Sequence, residues 1–270
     1  MINRIAKLKD LEEDVREELM YFKSIGYSGE HDCFSYDYIY KFAKMLKIAK
    51  GIGLTEGKKK VIDLGGGLSP LQFILSKNCE VLNMDMEYVA CFPTNGKYYD
   101  KATPEFVAES EKNFHNVSWI QGDILQTIKD VEDNSIDAII DTCSLHIFIS
   151  DGSNTLINEF NRVLKPGGHL ISIGDVANPN LGLQDSQFQY PDNMALALSA
   201  NENLKLIEPT DYTTWEPELM DHSGLCGKTH INYDDLSLIH MKYDPMQVQW
   251  GNIPSMKIHL WVATFVLQKQ

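Results

Sequence analysis

Between Val61 and Pro70 the chain reads VIDLGGGLSP, an apolar strand that runs into consecutive glycines and then into a Ser-Pro helix start. Val61, Ile62 and Leu64 supply a buried strand. Gly65, Gly66 and Gly67 let the backbone turn sharply and come close to a ligand where any β-carbon would intrude. Ser69 is placed to cap the next helix, with Pro70 at the first helical position, where a missing N–H is harmless. A strand, a glycine turn and a helix start in one run predict a sheet with a ligand-facing loop at its edge.

The spacing of the glycines narrows the ligand. A dinucleotide turn needs G-x-G-x-x-G; counted from Gly65, the third position falls on Pro70, so that fingerprint fails. Four more segments follow in order. Val81-Leu82-Asn83-Met84 is a second strand that ends in Asp85, about 20 residues past the loop, where an acid can accept both hydroxyls of a ribose. Trp119 to Gln121 is a short strand followed by Gly122, Asp123 and Ile124. Ser135 to Ile140 is a buried strand that runs into Asp141-Thr142-Cys143-Ser144-Leu145-His146. FNRVLKPGGHLISIGD, from Phe160 to Asp175, closes a helix, turns at Lys165-Pro166-Gly167-Gly168 and enters another strand.

Taken together, residues 58 to 178 resemble the class I (Rossmann-like) S-adenosylmethionine-dependent methyltransferases. That resemblance implies an α/β fold: a seven-stranded, mostly parallel, doubly wound sheet with an antiparallel last strand. It also implies a cofactor, S-adenosylmethionine, with S-adenosylhomocysteine as product. Gly65, Gly66 and Gly67 would flank its methionine part, with Asp63 reaching the amino group through water and the backbone at Asp141 beside the ammonium. Asp85, with Met86 next to it, would hold the ribose, and Asp123 the adenine amino group, with Ile124 stacking nearby. The loop departs from the family's G-x-G-x-G, since Ser69 stands at the last glycine position; a small residue fits there.

Composition agrees. A chain of 270 residues, 43% hydrophobic, can bury one large core. The net charge of -14 repels nucleic-acid backbones, and Lys58-Lys59-Lys60 reads as a solvated approach to the first strand. Five cysteines, Cys33, Cys79, Cys91, Cys143 and Cys226, are an odd number without a CxxC, which predicts a reducing compartment and no disulfide framework. No apolar run is fit for secretion or long enough to span a bilayer. The expectation is a soluble, cytoplasmic protein with a small-molecule substrate, no nucleic acid and no membrane; its oligomeric state cannot be read.

The segments on either side of the core carry its individuality. Residues 1–57 read as an N-terminal helical cap and 58–270 as the main domain. In the cap, Ile5, Leu8, Leu11, Val15, Leu19 and Phe22 recur at helical spacing, with Asp10, Glu12, Glu13, Asp14, Glu17 and Glu18 on much of the other face. Ser35 would cap a second helix from Tyr36 to Ile48, and Tyr27, Phe34 and Tyr36 are candidates for a substrate wall. After a sixth strand at Asn203 to Glu208 and before a seventh at Lys257 to Leu267 lies an insertion, about 209–256, far longer than a hairpin requires. It holds Trp215, a further substrate candidate, and His222, Cys226 and His230. Gly224 and Gly227 argue against one helix bearing those three, and a fourth ligand is missing, so no metal is assigned there.

Methyl transfer from a sulfonium is an in-line displacement in which positioning supplies much of the acceleration. A base is needed only where the acceptor loses a proton, as an alcohol would. His146, just after the fourth strand, is the first candidate for that role, with His222 and His230 in reserve. The predicted reaction moves a methyl group to an oxygen, or less readily a nitrogen, of a small polar metabolite such as a sugar or nucleotide-linked precursor. Two alternatives stand beside it: a magnesium-assisted O-methyltransferase using Asp141 and Asp175, disfavoured because Val176 follows Asp175 where the usual pair has Asn, and a non-catalytic S-adenosylmethionine-binding module.

Overall fold

Val61 and Ile62 are neighbours in sequence yet belong to different cores, as do Ala138 and Ile139, Leu170 and Ile171, and Phe265 and Val266. Successive side chains of a strand point to opposite faces, so strands that are apolar on both faces must lie in a sheet covered on both sides. The computed structural model describes residues 3–6, 10–25, 36–67, 69–86, 90–91, 98–99, 116–149, 154–177, 190–208, 210–211, 229–231, 238–240, 247–248, 256–257 and 260–270. Its main sheet has seven strands: β1 (Lys59–Leu64), β2 (Cys79–Asp85), β3 (Val117–Gln121), β4 (Ile136–Thr142), β5 (Leu164–Ala177), β6 (Leu204–Leu206) and β7 (Leu260–Lys269). Their order is β3-β2-β1-β4-β5-β7-β6. β1 to β5 are parallel, and β7 runs antiparallel to both β5 and β6. This is the predicted doubly wound sheet with its antiparallel last strand.

The helices are α1 (Asp10–Glu13), α2 (Arg16–Ser24), α3 (Tyr36–Gly51), α4 (Leu71–Leu75), α5 (Ile124–Thr127), α6 (Leu145–Ile149), α7 (Thr155–Val163) and α8 (Pro191–Leu198). One face of the sheet packs against Phe22 of α2, Met45, Leu46 and Ala49 of α3, and Leu71 and Leu75 of α4. The other face packs against Ile124, Ile128, Phe160, Val163 and Leu198. In α7 the buried residues Leu156, Ile157, Phe160 and Val163 recur at helical spacing, which turns one stripe to the sheet. Each such side chain contributes roughly 1.5–3 kcal/mol on leaving water.

Strand order reverses between β1 and β4: β2 lies on one side of β1 and β4 on the other. A crevice opens at such a switch point, outside the carboxyl ends of the strands. The glycine turn lies there, at the end of β1.

Two local expectations are corrected, and one set of ion pairs lay outside them. The first helix does not begin at Ile5. Residues 3–6 run extended along β7: Ala6 N–H donates to the Val262 carbonyl (2.8 Å), Thr264 N–H donates to the Arg4 carbonyl (3.0 Å), and Val266 N–H donates to Asn3 Oδ1 (2.7 Å). Pairing to an open strand edge outweighs the helical period there. On the acidic side of α1 and α2, Asp14 and Glu18 meet the lysines of α3. Asp10 is bound by both arms of Arg4 (2.7 and 2.8 Å), Asp14 by Lys44 and by Lys47 (2.8 Å), and Glu18 by Lys50 (2.8 Å). Finally, Lys165 to Gly168 do not precede the fifth strand but form a bulge inside it, since Leu164 pairs with Ile136 and His169 with Ala138. Gly167 takes φ +79 there, a backbone conformation suited to glycine.

Ser35 lies outside the described residues, and α3 extends past Ile48 to Gly51. Between β6 and β7, where the insertion was expected, two short antiparallel pairs are described: Thr229–Ile231 with Leu238–His240, and Gln247–Val248 with Met256–Lys257. Among the described residues no helix is long and apolar enough to cross a membrane.

Candidate active site

The glycine turn is shaped by what surrounds it. Gly65 has φ +60, and a β-carbon there would lie 2.1 Å from Ser144 Oγ, so both backbone and space require glycine. At Gly66 a β-carbon would lie 2.6 Å from Asp63 Cγ and 2.8 Å from Asn83 Nδ2. Gly65 N–H donates to the Met84 carbonyl (2.7 Å), which ties the loop to β2. The predicted cap is present: Ser69 Oγ accepts from Leu71 N–H (3.1 Å), and Pro70 already has helical geometry ahead of α4.

Acidic groups converge on this loop. Asp63, near the end of β1, is fully buried, and neither carboxylate oxygen has a hydrogen-bond partner; Asn83 Oδ1 on β2 is in the same condition. Burial first, and then the like charges of Asp141 and Asp85, push the Asp63 carboxyl well above its ordinary pKa. Asp85, the last residue of β2, accepts the Gly67 N–H on Oδ2 (3.0 Å). Met86 beside it is 63% exposed, unusual for so large an apolar side chain. Asp123 follows β3 and caps α5 by accepting Leu125 N–H (2.9 Å), while Ile124 is buried in the second core.

Beyond β4 the chain makes a second strained turn, at Cys143, with φ +69. Asp141 stands one residue short of the end of β4, and its carboxylate accepts from Ser144 N–H (2.8 Å), Leu145 N–H (2.9 Å) and the Ser172 hydroxyl (2.6 Å). Burial raises its pKa to about 6 although those hydrogen bonds pull the other way. Asp175 on β5 pairs with Lys41 of α3 (2.8 Å), whose side chain is fully buried, and Cys143 Sγ bridges the two, at 3.3 Å from Lys41 Nζ and 3.0 Å from Asp175 Oδ2. Burial alone would raise the Asp175 carboxyl; the adjacent lysine holds it below the usual range. His146, in the first turn of α6, is buried, and that burial lowers its pKa and keeps the imidazole neutral.

The structure thus gathers Asp63, Gly65, Gly66, Gly67, Asp85, Met86, Asp123, Ile124, Asp141 and His146 at the carboxyl ends of four neighbouring strands. Tyr27, Phe34, Trp215 and His222 lie outside the described residues. Tyr36 opens α3 and His230 sits in the short strand Thr229–Ile231; only their backbone is described. The carboxylates of Asp141 and Asp175 are each engaged by protein donors, and among the described residues no group of three His, Cys, Asp or Glu side chains is arranged to hold a metal ion.

Sequence reasoning missed Lys41, Gln72 and Asn83. Each is a single polar residue inside an apolar run, YKF, LQF and VLNM, and that interruption was the available signal.

Residues 63–172 match the family model of a methyltransferase domain. The fold is similar to that of the [4+2]-cyclase SpnF, with 13% identity and a TM-score of 0.54 over 99% of this chain and 98% of that one. A geranyl diphosphate C-methyltransferase from Streptomyces coelicolor A3(2), in complex with Mg2+, geranyl diphosphate and S-adenosyl-L-homocysteine, has 13% identity and a TM-score of 0.48 over 92% of this chain and 87% of its own. The YcgJ protein from Bacillus subtilis has 17% identity and a TM-score of 0.49, over 86% and 98%. At these identities the likeness speaks for the fold alone. No curated protein matches the chain. The strand order and the glycine turn agree with that match, and residues 63–172 are similar to a methyltransferase domain with a Rossmann-like sheet.

Proposed function

We propose that this protein binds S-adenosylmethionine at the glycine turn and transfers its methyl group to an oxygen, or less readily a nitrogen, of a small polar metabolite. The observation that carries the reading is Asp63: a buried carboxylate whose oxygens lack partners calls for a cationic or donor-bearing ligand. An amino-acid ammonium near the loop, reached through water, answers that need. The cofactor supplies a sulfonium-bound methyl carbon that is already activated for displacement.

The chain's own residues do the rest. Gly65, Gly66 and Gly67 let the backbone approach the methionine part. Asp85 orients the ribose, and the exposed Met86 next to it gains cover when a purine lies over it. Asp123 and Ile124 complete the adenine end. His146, neutral and at the mouth of β4, accepts the acceptor's proton, and the Lys41–Asp175 pair fixes the floor beside it.

Calorimetric titration with S-adenosylmethionine, S-adenosylhomocysteine and NAD tests the cofactor. Micromolar binding of the first two without NAD supports the reading; no binding of either removes it. A [4+2]-cyclase has a similar fold, so the fold by itself does not fix the reaction. His146 is tested separately: His146→Ala should keep cofactor affinity within about twofold and lower turnover about 10²–10⁴-fold, the range of a general base. Unchanged turnover would make His146 structural and leave positioning alone to account for the rate.

A further inference from the structure

The glycine turn is flexible by composition, and something must hold it in one conformation before a ligand arrives. We propose that Gln72 does so, as a positioning residue that acts through the Gly66–Gly67 peptide on Asp85. The inference rests on the reading of this site as one for S-adenosylmethionine.

Gln72 is the second residue of α4 and is fully buried behind the loop. Its Nε2 lies 3.4 Å from the Gly66 carbonyl, 3.3 Å from the Gly67 carbonyl and 3.0 Å from the Ser69 carbonyl. Its Oε1 accepts from Asn83 Nδ2 on β2 (2.7 Å) and from Trp119 Nε1 on β3 (3.1 Å). Chemistry dictates this orientation of the amide. An indole N–H can only donate, so the atom facing Trp119 is the oxygen, and the NH2 group is left for the carbonyls, which can only accept. One side chain therefore ties the loop to both neighbouring strands.

The Gly66 carbonyl and the Gly67 N–H belong to one planar trans peptide and point in opposite directions. With the carbonyl drawn back by the Ser69 N–H (2.8 Å) and by Gln72 (3.4 Å), the Gly67 N–H is turned outward, where Asp85 Oδ2 accepts it at 3.0 Å. Gln72 thus sets the angle of the carboxylate assigned to the ribose without touching the cofactor. Replacing it with an apolar residue takes the side-chain donor from the Gly67 and Ser69 carbonyls and leaves the Gly66 carbonyl with the Ser69 N–H alone (2.8 Å), so the turn loses its tie to β2 and β3 and the Gly67 N–H is held less firmly toward Asp85.

A double-mutant cycle distinguishes this from general support of the fold. S-adenosylhomocysteine affinity is measured for wild type, Gln72→Leu, Asp85→Ala and the double variant, each verified as folded by its melting transition. Gln72→Leu should weaken binding at least tenfold in the wild-type background and less than threefold once Asp85 is gone. Equal losses in both backgrounds, or no loss in folded Gln72→Leu, overturn the proposal. If the leucine variant does not fold, Gln72→Glu takes its place, because it keeps an acceptor for Asn83 and Trp119 and sets a carboxyl oxygen, in place of the NH2 group, against the loop carbonyls. Failure of the wild type to bind S-adenosylhomocysteine overturns the cofactor reading and this inference together; wild-type binding with an additive cycle overturns the inference alone.

Discussion

The two ends of the sheet treat buried acids in opposite ways. At the amino end, Asp137 of β4 accepts from Lys165 Nζ (2.7 Å) and the Lys60 N–H (2.9 Å), with Lys59 at 3.7 Å, and in the cap Asp10, Asp14 and Glu18 are each matched by arginine or lysine. At the carboxyl end of the same sheet Asp63 is buried with Asp85 and Asp141 as neighbours and, among the described residues, no cation paired with it. The matched acids hold elements together. The unmatched one lowers the stability of the unliganded protein, and such a liability persists where a ligand removes it.

The strongest way to break this comparison is Asp63→Asn. If the acid serves a cationic ligand, S-adenosylmethionine affinity falls by about 2–5 kcal/mol, while the unliganded protein melts higher because an uncompensated buried charge is gone. A variant that binds normally would reduce Asp63 to a packing residue.

Acid should sharpen the contrast, because the two ends titrate in opposite senses. Asp63 and Asp141 have raised pKa values in the folded state, so their contribution is fully present below the unfolded value of about 3.9 and is lost as pH rises through the folded values, about 6 for Asp141. Asp14 and Asp137 are held low by their lysines against the effect of burial; their contribution is present above about 3.9 and disappears as pH falls through their folded values. Through Asp63 and Asp141 the unliganded protein gains stability from pH 7.5 toward pH 5, by at most about 1.4 kcal/mol per pH unit per proton, against the opposing effect of His146 and His169, whose pKa values burial lowers; below about pH 4 Asp14 and Asp137 take stability away. Asp63→Asn should flatten the upper part of that profile. A profile that the variant leaves unchanged would place the titration elsewhere.

Smaller effects belong to the matched end. Asp137→Asn should destabilise by about 1 kcal/mol, read as a lower melting temperature, with cofactor affinity unaltered. Lys50→Ala, which breaks a pair whose lysine is 45% exposed, should change stability by about 0.2–1 kcal/mol and disappear into salt. If either change alters cofactor binding, the division between structural and functional acids fails.

The sheet was legible from sequence because its central strands announced themselves by apolar residues on both faces, and the glycine turn fixed where the crevice would open. Ser69 and Pro70 named the helix start before any coordinates. What stayed hidden was pairing across distance. Nothing near Asp14 in the sequence points to Lys44, and Ile5 kept a helical spacing while its backbone joined β7, since an unfilled strand edge is a tertiary fact. Gln72 and Lys41 stood in plain view as polar interruptions, yet their partners Trp119 and Asp175 lie in other segments. The substrate wall expected at Tyr27, Phe34 and Trp215 lies outside the described residues.

The place of β7 bears on how the chain comes off the ribosome. β7 is the last strand to be synthesised, but it is inserted between β5 and β6, and residues 3–6 line the remaining part of its outer edge. Until residues 260–269 emerge, β6 has no strand to pair with and Asn3 cannot meet Val266. The pairings of β6 and of residues 3–6 with β7 therefore wait for residues 260–269, which follow all the parallel strands in sequence. Contacts of such sequence separation are slow to form. A nascent chain stalled before Leu260 would hold β5 as an open edge, the form in which strands pair with the wrong neighbour.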